Sequence, residues 1–480
     1  MTVTNRYSMN SYSADAAGTA NNQMTDLNSL QGILKDVYLP AINNSIYFDN
    51  KFTRMIEPAT AKLDATGRRI IGAFQTQRSA GVGPMTEGGG FRRSVPIDAF
   101  QGWEWIKYGN MYVEFTGPAL ATIQQGEGSY LDLVNSHIES LIESEKLNTE
   151  RILMGNGTGI LCTAAVTPVD TQSTIAITGP AFFDSQFLEL GMWIEMYDPA
   201  ATGTPLAGFS TSATDATPTT RAQIIGIARG NKRTNTKCVI TLDRPFNATG
   251  AVANAQFARE GAYALLDGAT SGRQSLEQNG LDNLVSDGAD HSGLSGLGCI
   301  DETGNQYKYI WSKDRTQAAN WPLQSTVHHI GDELDEDNML EVLTESEYQH
   351  QNSPNLLVVT PRALLKYFGN SRDDRRFNIS SGPMDNVMGF TGQYIQLGDK
   401  KIALTALSSV PVGKGFLINT GDFAFIRPPG MSGYKWLTDS NGSVLMQKET
   451  SDQKFASAVA YWNFTCQKPD KQLKLIGITE

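Results

Sequence analysis

Residues Ser129 to Leu161 read SYLDLVNSHIESLIESEKLNTERILMGNGTGIL, and this stretch decides how the rest of the chain is parsed. Leu131, Val134, Ile138, Leu141, Ile142, Ile152 and Leu153 recur on one stripe at the helical period, which predicts a single amphipathic helix from Ser129 to Met154, roughly 39 Å long. The glycines of GNGTG, Gly155 to Gly159, end it. Glu145 lies on the apolar stripe, where a bare carboxylate is costly, so it is expected to be hydrogen-bonded or paired with a basic group. The opposite face carries Ser136, Ser140 and Ser144 in register, bracketed by Leu133 and Leu147. This is a shallow small-residue track along which a second chain could lie, or simply a solvated face.

Working towards the N-terminus, two extended runs, Arg68 to Gln77 and Trp103 to Phe115, flank the glycine-rich segment Gly81 to Ser94. They read as a long hairpin with a flexible tip, each arm reaching roughly 36 Å. Isolated two-stranded ribbons are marginal in water, so the aromatic residues Trp103, Trp105, Tyr108 and Phe115 point to a partner surface. Before the hairpin, Ser29 to Pro58 reads as a docking segment, and the first residues as a polar arm.

Working towards the C-terminus, the chain turns Thr-rich and β-branched between Val166 and about Thr270, in TIAIT, MWIEMY, AQIIGIA and TKCVITL separated by polar turns. A small antiparallel barrel or sandwich, inserted as a separate module, is expected. After a glycine-rich stretch, an acidic helix begins near Asp332, followed by the buried-strand run NLLVVTP and a helix from Pro361 to about Gly369. Further strands lie in QYIQLGDKKIALTAL, GKGFLINT, SVLMQKET and SAVAYWNFTCQK. The class is α+β.

The 480 residues allow two to four cores, and 40% apolar with 19% charged residues is ordinary soluble composition without a membrane span. A formal net charge of −11 argues against a dedicated nucleic-acid binder, though an acidic chain suits one that encloses DNA without gripping it. Cys162, Cys238, Cys299 and Cys466 form no CxxC pair, and reduced thiols are expected. Neither GVGPMTEGGG nor GNGTG precedes GK[ST] or opens a helix, so no phosphate cradle is read. The run Asp332, Glu333, Asp335, Glu336, Asp337 lacks EF-hand spacing. His137, His291, His328, His329 and His350 make no HExxH, and no nucleophile elbow is present. No catalytic, cofactor-binding or metal-ligating residue, and no cofactor, is expected.

The order of these parts resembles the major capsid proteins of the Hong Kong 97 family of tailed double-stranded DNA bacteriophages. Three stretches carry the resemblance: ERILMGNGTGIL (Glu150 to Leu161), NSPNLLVVTPRALLKYFGNSRDDRRF (Asn352 to Phe377) and GFTGQYIQLGDKKIALTALSSVPVGKGFLINTGDFAFI (Gly389 to Ile426). It implies an N-terminal arm (1–58), an E-loop hairpin (59–118) and a peripheral domain holding the spine helix (119–164). An inserted β-rich domain (165–272) and a peripheral segment with a glycine-rich loop (273–331) follow. An axial domain (332–426) and return strands of the peripheral domain (427–480) complete the chain. The implied function is structural: self-assembly in the host bacterial cytoplasm into hexamers and pentamers of an icosahedral capsid around the genome. Implied partners are a portal, a separate scaffolding protein and, where one is used, a cement protein. The family's type member cross-links lysine to asparagine between subunits. Only Lys62 and Lys107 lie near this hairpin and neither at its tip, so no cross-link is expected.

On this reading the hairpin of one subunit docks on the helix of its neighbour, with Arg68, Arg69, Arg92, Arg93, Trp103 and Trp105 facing Leu133, Ser136, Ser140, Ser144 and Leu147. From Ala61 to Asn110 seven basic residues stand against four acidic, a balance of +3; from Ser129 to Met154 two stand against five, −3. Charge would guide the encounter and the tryptophans supply affinity. Rival readings are an encapsulin-type shell around cargo protein, a β-rich carbohydrate-binding or tail protein, and a hydrolase with scattered carboxylates.

Overall fold

The computed structural model describes Phe52 and residues 65–66, 69–77, 83–85, 87, 89, 98–118, 133–178, 186–198, 205–210, 218–230, 237–265, 273–289, 308–350, 354–370, 394–397, 400–428, 434–438, 446–448 and 451–480. The chain divides into two units. One comprises Met1–Ser45, Asn110–Ile142 and Lys435–Val459, the other Ile46–Gly109, Glu143–Tyr434 and Ala460–Glu480.

Strands β1 (Ala65–Thr66), β2 (Arg69–Gln77) and β3 (Asp98–Trp105) form an antiparallel ribbon in which Arg69 lies opposite Trp105, and Gly72 opposite Gly102. The run from Trp103 to Phe115, expected as one hairpin arm, is two strands. Beyond the buried Ile106, β4 (Lys107–Thr116) leaves the ribbon and pairs with the long strand near the C-terminus. The ladder is diverted at Trp105, whose carbonyl accepts from the Asn463 side-chain amide at 2.9 Å.

Helix α1 (Leu133–Met154) ends at the glycines as expected. Gly157 and Gly159 take left-handed φ values of 71° and 78°, and Asn156 Oδ1 accepts from the Thr158 amide at 3.1 Å and hydroxyl at 2.6 Å, closing the turn. Strands β5 (Ile160–Ala164), β6 (Thr174–Thr178), β7 (Trp193–Tyr197), β8 (Arg221–Ala228), β9 (Cys238–Leu242) and β10 (Gln256–Arg259) close into a barrel in the order β10-β5-β6-β9-β8-β7, every pairing antiparallel. Alternation drives closure: Ile175 and Ile177, and Cys238, Ile240 and Leu242, point inward, while Ala176, Val239 and Thr241 between them lie on the half-buried outer side. The barrel takes in ILCTA at Ile160, so it begins earlier than the Thr-rich composition suggests.

A short hairpin of β11 (Tyr263–Leu265) and β12 (Arg273–Ser275) leads to α2 (Leu281–Leu284). Strands β13 (Tyr309–Ile310) and β14 (Lys313–Asp314) are joined by Trp311 and Ser312, both left-handed at φ 51° and 58°. Each such non-glycine residue costs about 1–3 kcal/mol and persists only where its surroundings over-determine it.

The chain continues through β15 (Thr326–His329), α3 (Glu336–His350), β16 (Leu356–Val359), α4 (Pro361–Asn370), β17 (Tyr394–Leu397), β18 (Lys400–Ala406), β19 (Lys414–Ile418) and β20 (Phe423–Ile426). It ends with β21 (Lys435–Trp436), β22 (Met446–Gln447), β23 (Gln453–Cys466) and β24 (Leu473–Ile476). A six-stranded sheet runs β15-β24-β19-β16-β18-β17. Central β16 is wholly apolar because both its faces are covered. Leu356 and Val358 belong to one core with Phe416, Ile418, Trp311 and Leu284; Leu357 and Val359 belong to another with Met339 and Val342 of α3 and Ala363 and Tyr367 of α4. Helix α4 starts at Pro361 as expected, with Thr360 Oγ1 accepting from the Ala363 amide at 3.2 Å; α3 starts at Glu336, later than the expected Asp332, because Asp335 Oδ1 accepts from the Asn338 amide at 2.7 Å and caps it there.

On the first core's face of that sheet, Lys414 and Lys474, both fully buried, converge on the Asp282 carboxylate of α2 at 3.0 and 2.8 Å. Burial pushes the Asp282 carboxyl up, but the two ammonium groups outweigh it and hold it well below the usual range. Buried Arg315 donates to the carbonyls of Asn283, Leu284 and Ser286. Charged side chains thus tie both ends of this four-residue helix to the body, a helix too short to stand by its own propensity.

In the other unit, β23 pairs with β21 and β22, Phe115 is buried with its ring 5.7 Å from His137, and Lys448 reaches Glu114 at 3.1 Å.

Candidate assembly surface

Strand period 2 gives the ribbon two faces. The inner face, Ile70, Gly72, Phe74, Phe100, Gly102 and Glu104, meets the β13–β14 hairpin: Phe74 stacks on Phe100 at 5.5 Å and edge-on to Trp311 at 5.0 Å. The outer face carries Arg69, Ile71, Ala73 and Gln75 from β2 opposite Trp105, Trp103, Gln101 and Ala99 from β3. Ile71 is 40% exposed. The Arg69 guanidinium lies over both tryptophan rings, 4.7 Å from Trp103 and 4.6 Å from Trp105, and the two indoles meet edge to face at 5.2 Å. The result is a cation-capped aromatic cluster beside an exposed aliphatic row.

The foot of the ribbon is polar and closed. Glu104 accepts from the Trp311 amide at 2.7 Å and from Asn279 at 3.5 Å, and burial raises its carboxyl above the ordinary value against the pull of Lys107 and Arg315. Lys107 donates to the Glu277 carbonyl, and burial lowers its ammonium. Glu277 also pairs with Arg151 of α1 and accepts from the Gly159 amide at 2.8 Å. Glu145 has the partners its position demanded. The Tyr434 hydroxyl donates to it, with Asn148 and Thr149 beside it; burial raises its carboxyl and, with the Glu145 charge, the Tyr434 phenol.

These contacts change the charge argument. Lys107, Glu104, Glu145, Arg151 and Glu150, the last accepting from Ser409 at 2.8 Å, all have partners inside the chain. Without these groups the ribbon still balances at six basic against three acidic, +3, while the helix falls from −3 to one against three, −2. Among the described residues of α1, Glu139 and Lys146 are exposed and Glu143 is half-buried.

Of the expected contact residues, Arg69, Trp103 and Trp105 come together on the outer face. Arg68, Arg92 and Arg93 lie outside the described residues, and Leu133 and Ser136 lie on α1 at positions whose side chains are likewise not described. Ser140 is exposed. Ser144 donates to Glu189 at 3.0 Å, and Leu147 is buried with Leu161, Ile177 and Phe257 in the core on the barrel side. The reading of Ser144 and Leu147 as part of an open track is corrected: a stripe of small residues reads the same in sequence whether water, a second chain or the chain's own barrel covers it. Ile71 was missed because its alternation with Ile70 shows only once the inner face is known.

Among the described residues no three His, Cys, Asp or Glu side chains converge as metal ligands. His328 lies 3.1 Å from Glu345, and Cys162, Cys238 and Cys466 are buried.

No family model and no curated protein matches the chain. Among solved structures it is similar to a chain of the cyanophage A-1(L) capsid asymmetric unit, at 10% identity and a TM-score of 0.50, over 94% of this chain and 99% of that one. It is also similar to the holo-SrpI encapsulin complex from Synechococcus elongatus PCC 7942, at 10% identity and 0.39 over 95% and 97%. A third likeness, to Gordonia phage Cozz, stands at 10% identity and 0.38 over 97% and 98%. The chain shares the fold of the cyanophage capsid subunit along nearly the whole length of both.

Proposed function

We propose that this chain is the major capsid protein of a tailed double-stranded DNA phage of the Hong Kong 97 family, and that it assembles with copies of itself into hexamers and pentamers of an icosahedral shell. The observation that carries this reading is the fold shared with a chain of a phage capsid asymmetric unit over 94% of this chain and 99% of that one. The ribbon is then the E-loop, α1 the spine helix, and residues 332–426 the axial domain, with 427–480 returning to the peripheral domain. The protein works as a structural component of the virion, without catalysis. It is assembled in the host cytoplasm beside a portal, a separate scaffolding protein and, where one is used, a cement protein.

The outer ribbon face supports the assembly role. Trp103, Trp105 and Ile71 form an apolar surface capped by one cation, the composition that concentrates binding energy when a partner covers it. The partner is a second copy of this chain. Sedimentation of the purified protein tests the reading: a particle of megadalton size is expected, and a small oligomer with saccharide affinity or turnover would overturn it.

A further inference from the structure

At one point in the ribbon two glycines face each other across the strands. Gly72 and Gly102 are directly paired, and both are buried. A glycine pair inside a strand ladder weakens it unless another group approaches closely, and here that group is Trp311, its ring edge over Gly72 and its Cβ and carbonyl over Gly102. A Cβ on Gly102 would stand 2.7 Å from the Trp311 Cβ and 2.9 Å from its carbonyl oxygen, and one on Gly72 3.1 Å from the indole edge. The pair is a notch in which Trp311 sits.

Trp311 is held there from three directions. Its amide donates to Glu104 at 2.7 Å, its carbonyl accepts from the Trp103 amide at 3.2 Å, and its indole Nε1 donates to the Cys466 carbonyl of β23 at 3.0 Å. Two of these bonds go to the ribbon and one to the body. The turn presenting the ring uses left-handed Trp311 and Ser312 where Asn-Gly would be unstrained. A strained turn kept in place by its contacts is poised to leave when they are lost.

We propose that the Tyr309–Asp314 hairpin is a latch, in which Trp311, seated in the notch formed by Gly72 and Gly102, is the positioning residue that fixes the root of the ribbon to β23, so that withdrawing the ring frees the ribbon as a unit. The proposal deepens the assembly reading, because it concerns how the docking element is aimed. Its readout, however, lies within one subunit: failed assembly with an intact latch counts against the assembly reading alone.

Amide hydrogen exchange, followed by mass spectrometry on full-length protein with all variants in one assembly state, tests it. Gly102→Ala closes the notch, and Trp311→Gly removes the ring while leaving the turn free to keep its conformation. In both, amides of β2 and β3 are expected to exchange about tenfold or more faster, while β5 to β10 and β16 keep wild-type protection. Ser312→Gly, which relieves strain and keeps the ring, should leave ribbon exchange at or below the wild-type rate. The latch is refuted if the ribbon of Trp311→Gly exchanges as slowly as wild type, or if β16 and β19 loosen together with it. Failure of both ring-displacing variants to fold would also refute it, because Trp311 would then be one more residue of an undivided core.

Discussion

Replacing Asp282 by alanine takes one carboxylate from two buried ammonium groups. Lys414 and Lys474 are each 0% exposed, and Asp282 itself is 4% exposed. Removing one partner of a buried ion pair costs about 3–5 kcal/mol, and here the loss is shared by two lysines, so the lower end of that range is a floor. In a cooperative unit as large as the one that holds Asp282 (Ile46–Gly109, Glu143–Tyr434 and Ala460–Glu480), 1 kcal/mol shifts the melting temperature by about 1–2 °C, which places the expected drop at about 4 °C or more. Scanning calorimetry of the purified variant reads it directly. Two companions sharpen the result. Asp282→Leu combined with Lys414→Met and Lys474→Met should recover most of the loss, because an apolar cluster of similar volume needs no charge balance. Asp282→Ala alone should gain stability as pH is raised towards the ordinary ammonium range near about 10.4, where neutral lysine becomes cheaper. In the wild type, the depressed Asp282 carboxyl contributes stability that is present above the unfolded value of 3.8 and is lost as pH falls through the lower folded value. A melting temperature within 2 °C of wild type for Asp282→Ala, or a triple variant no better than the single, would refute the view that this triad anchors α2.

Glu145→Gln tests the opposite sign. Burial raises the folded carboxyl above 4.5, so its contribution is present below that value and lost as pH rises through the folded value; the variant should gain on wild type as pH climbs above 4.5, and parallel melting curves would contradict this. Trp105→Ala should leave the subunit folded but lower the thermal resistance of assembled particles, since it removes half the bed of Arg69 and part of the outer ribbon face; unchanged particle melting would remove the ribbon from the interface. Reversing Arg92 and Arg93 to glutamate should slow assembly at low salt more than at high salt, measured by light scattering, and equal rates across salt would count against electrostatic guidance. Excising 160–259 and bridging Gly159 to Glu260 with a short Gly/Ser link should leave soluble assembling protein, because β5 and β10 pair at Ile160 and Ala258 and the chain enters and leaves the barrel at one place. Leu147→Lys is needed alongside to keep a newly exposed apolar side chain from aggregating.

Local chemistry was readable wherever it decided local structure. The glycines after Met154, the Thr360 cap, the continuous apolar run at Leu356 and the Thr-rich alternation of the barrel each follow from residues within a few positions of one another. What could not be read depends on distant partners. Nothing near Trp105 signals that a side chain 358 positions away takes its carbonyl and splits the arm. Nothing in a count of charges separates Glu139, which faces water, from Glu150, which faces Ser409. Nothing near Gly72 or Gly102 in the sequence signals that the pair admits Trp311.

If the chain assembles with copies of itself as proposed, the closed barrel carries a consequence. An open sheet offers unpaired amides and carbonyls along its outer strands, and identical neighbours at high local concentration can extend it in the wrong place. With β10 bonded to both β5 and β7, the module has no such margin to offer. Its outward side chains can therefore change, or carry grafted loops, without opening a strand edge to a neighbour.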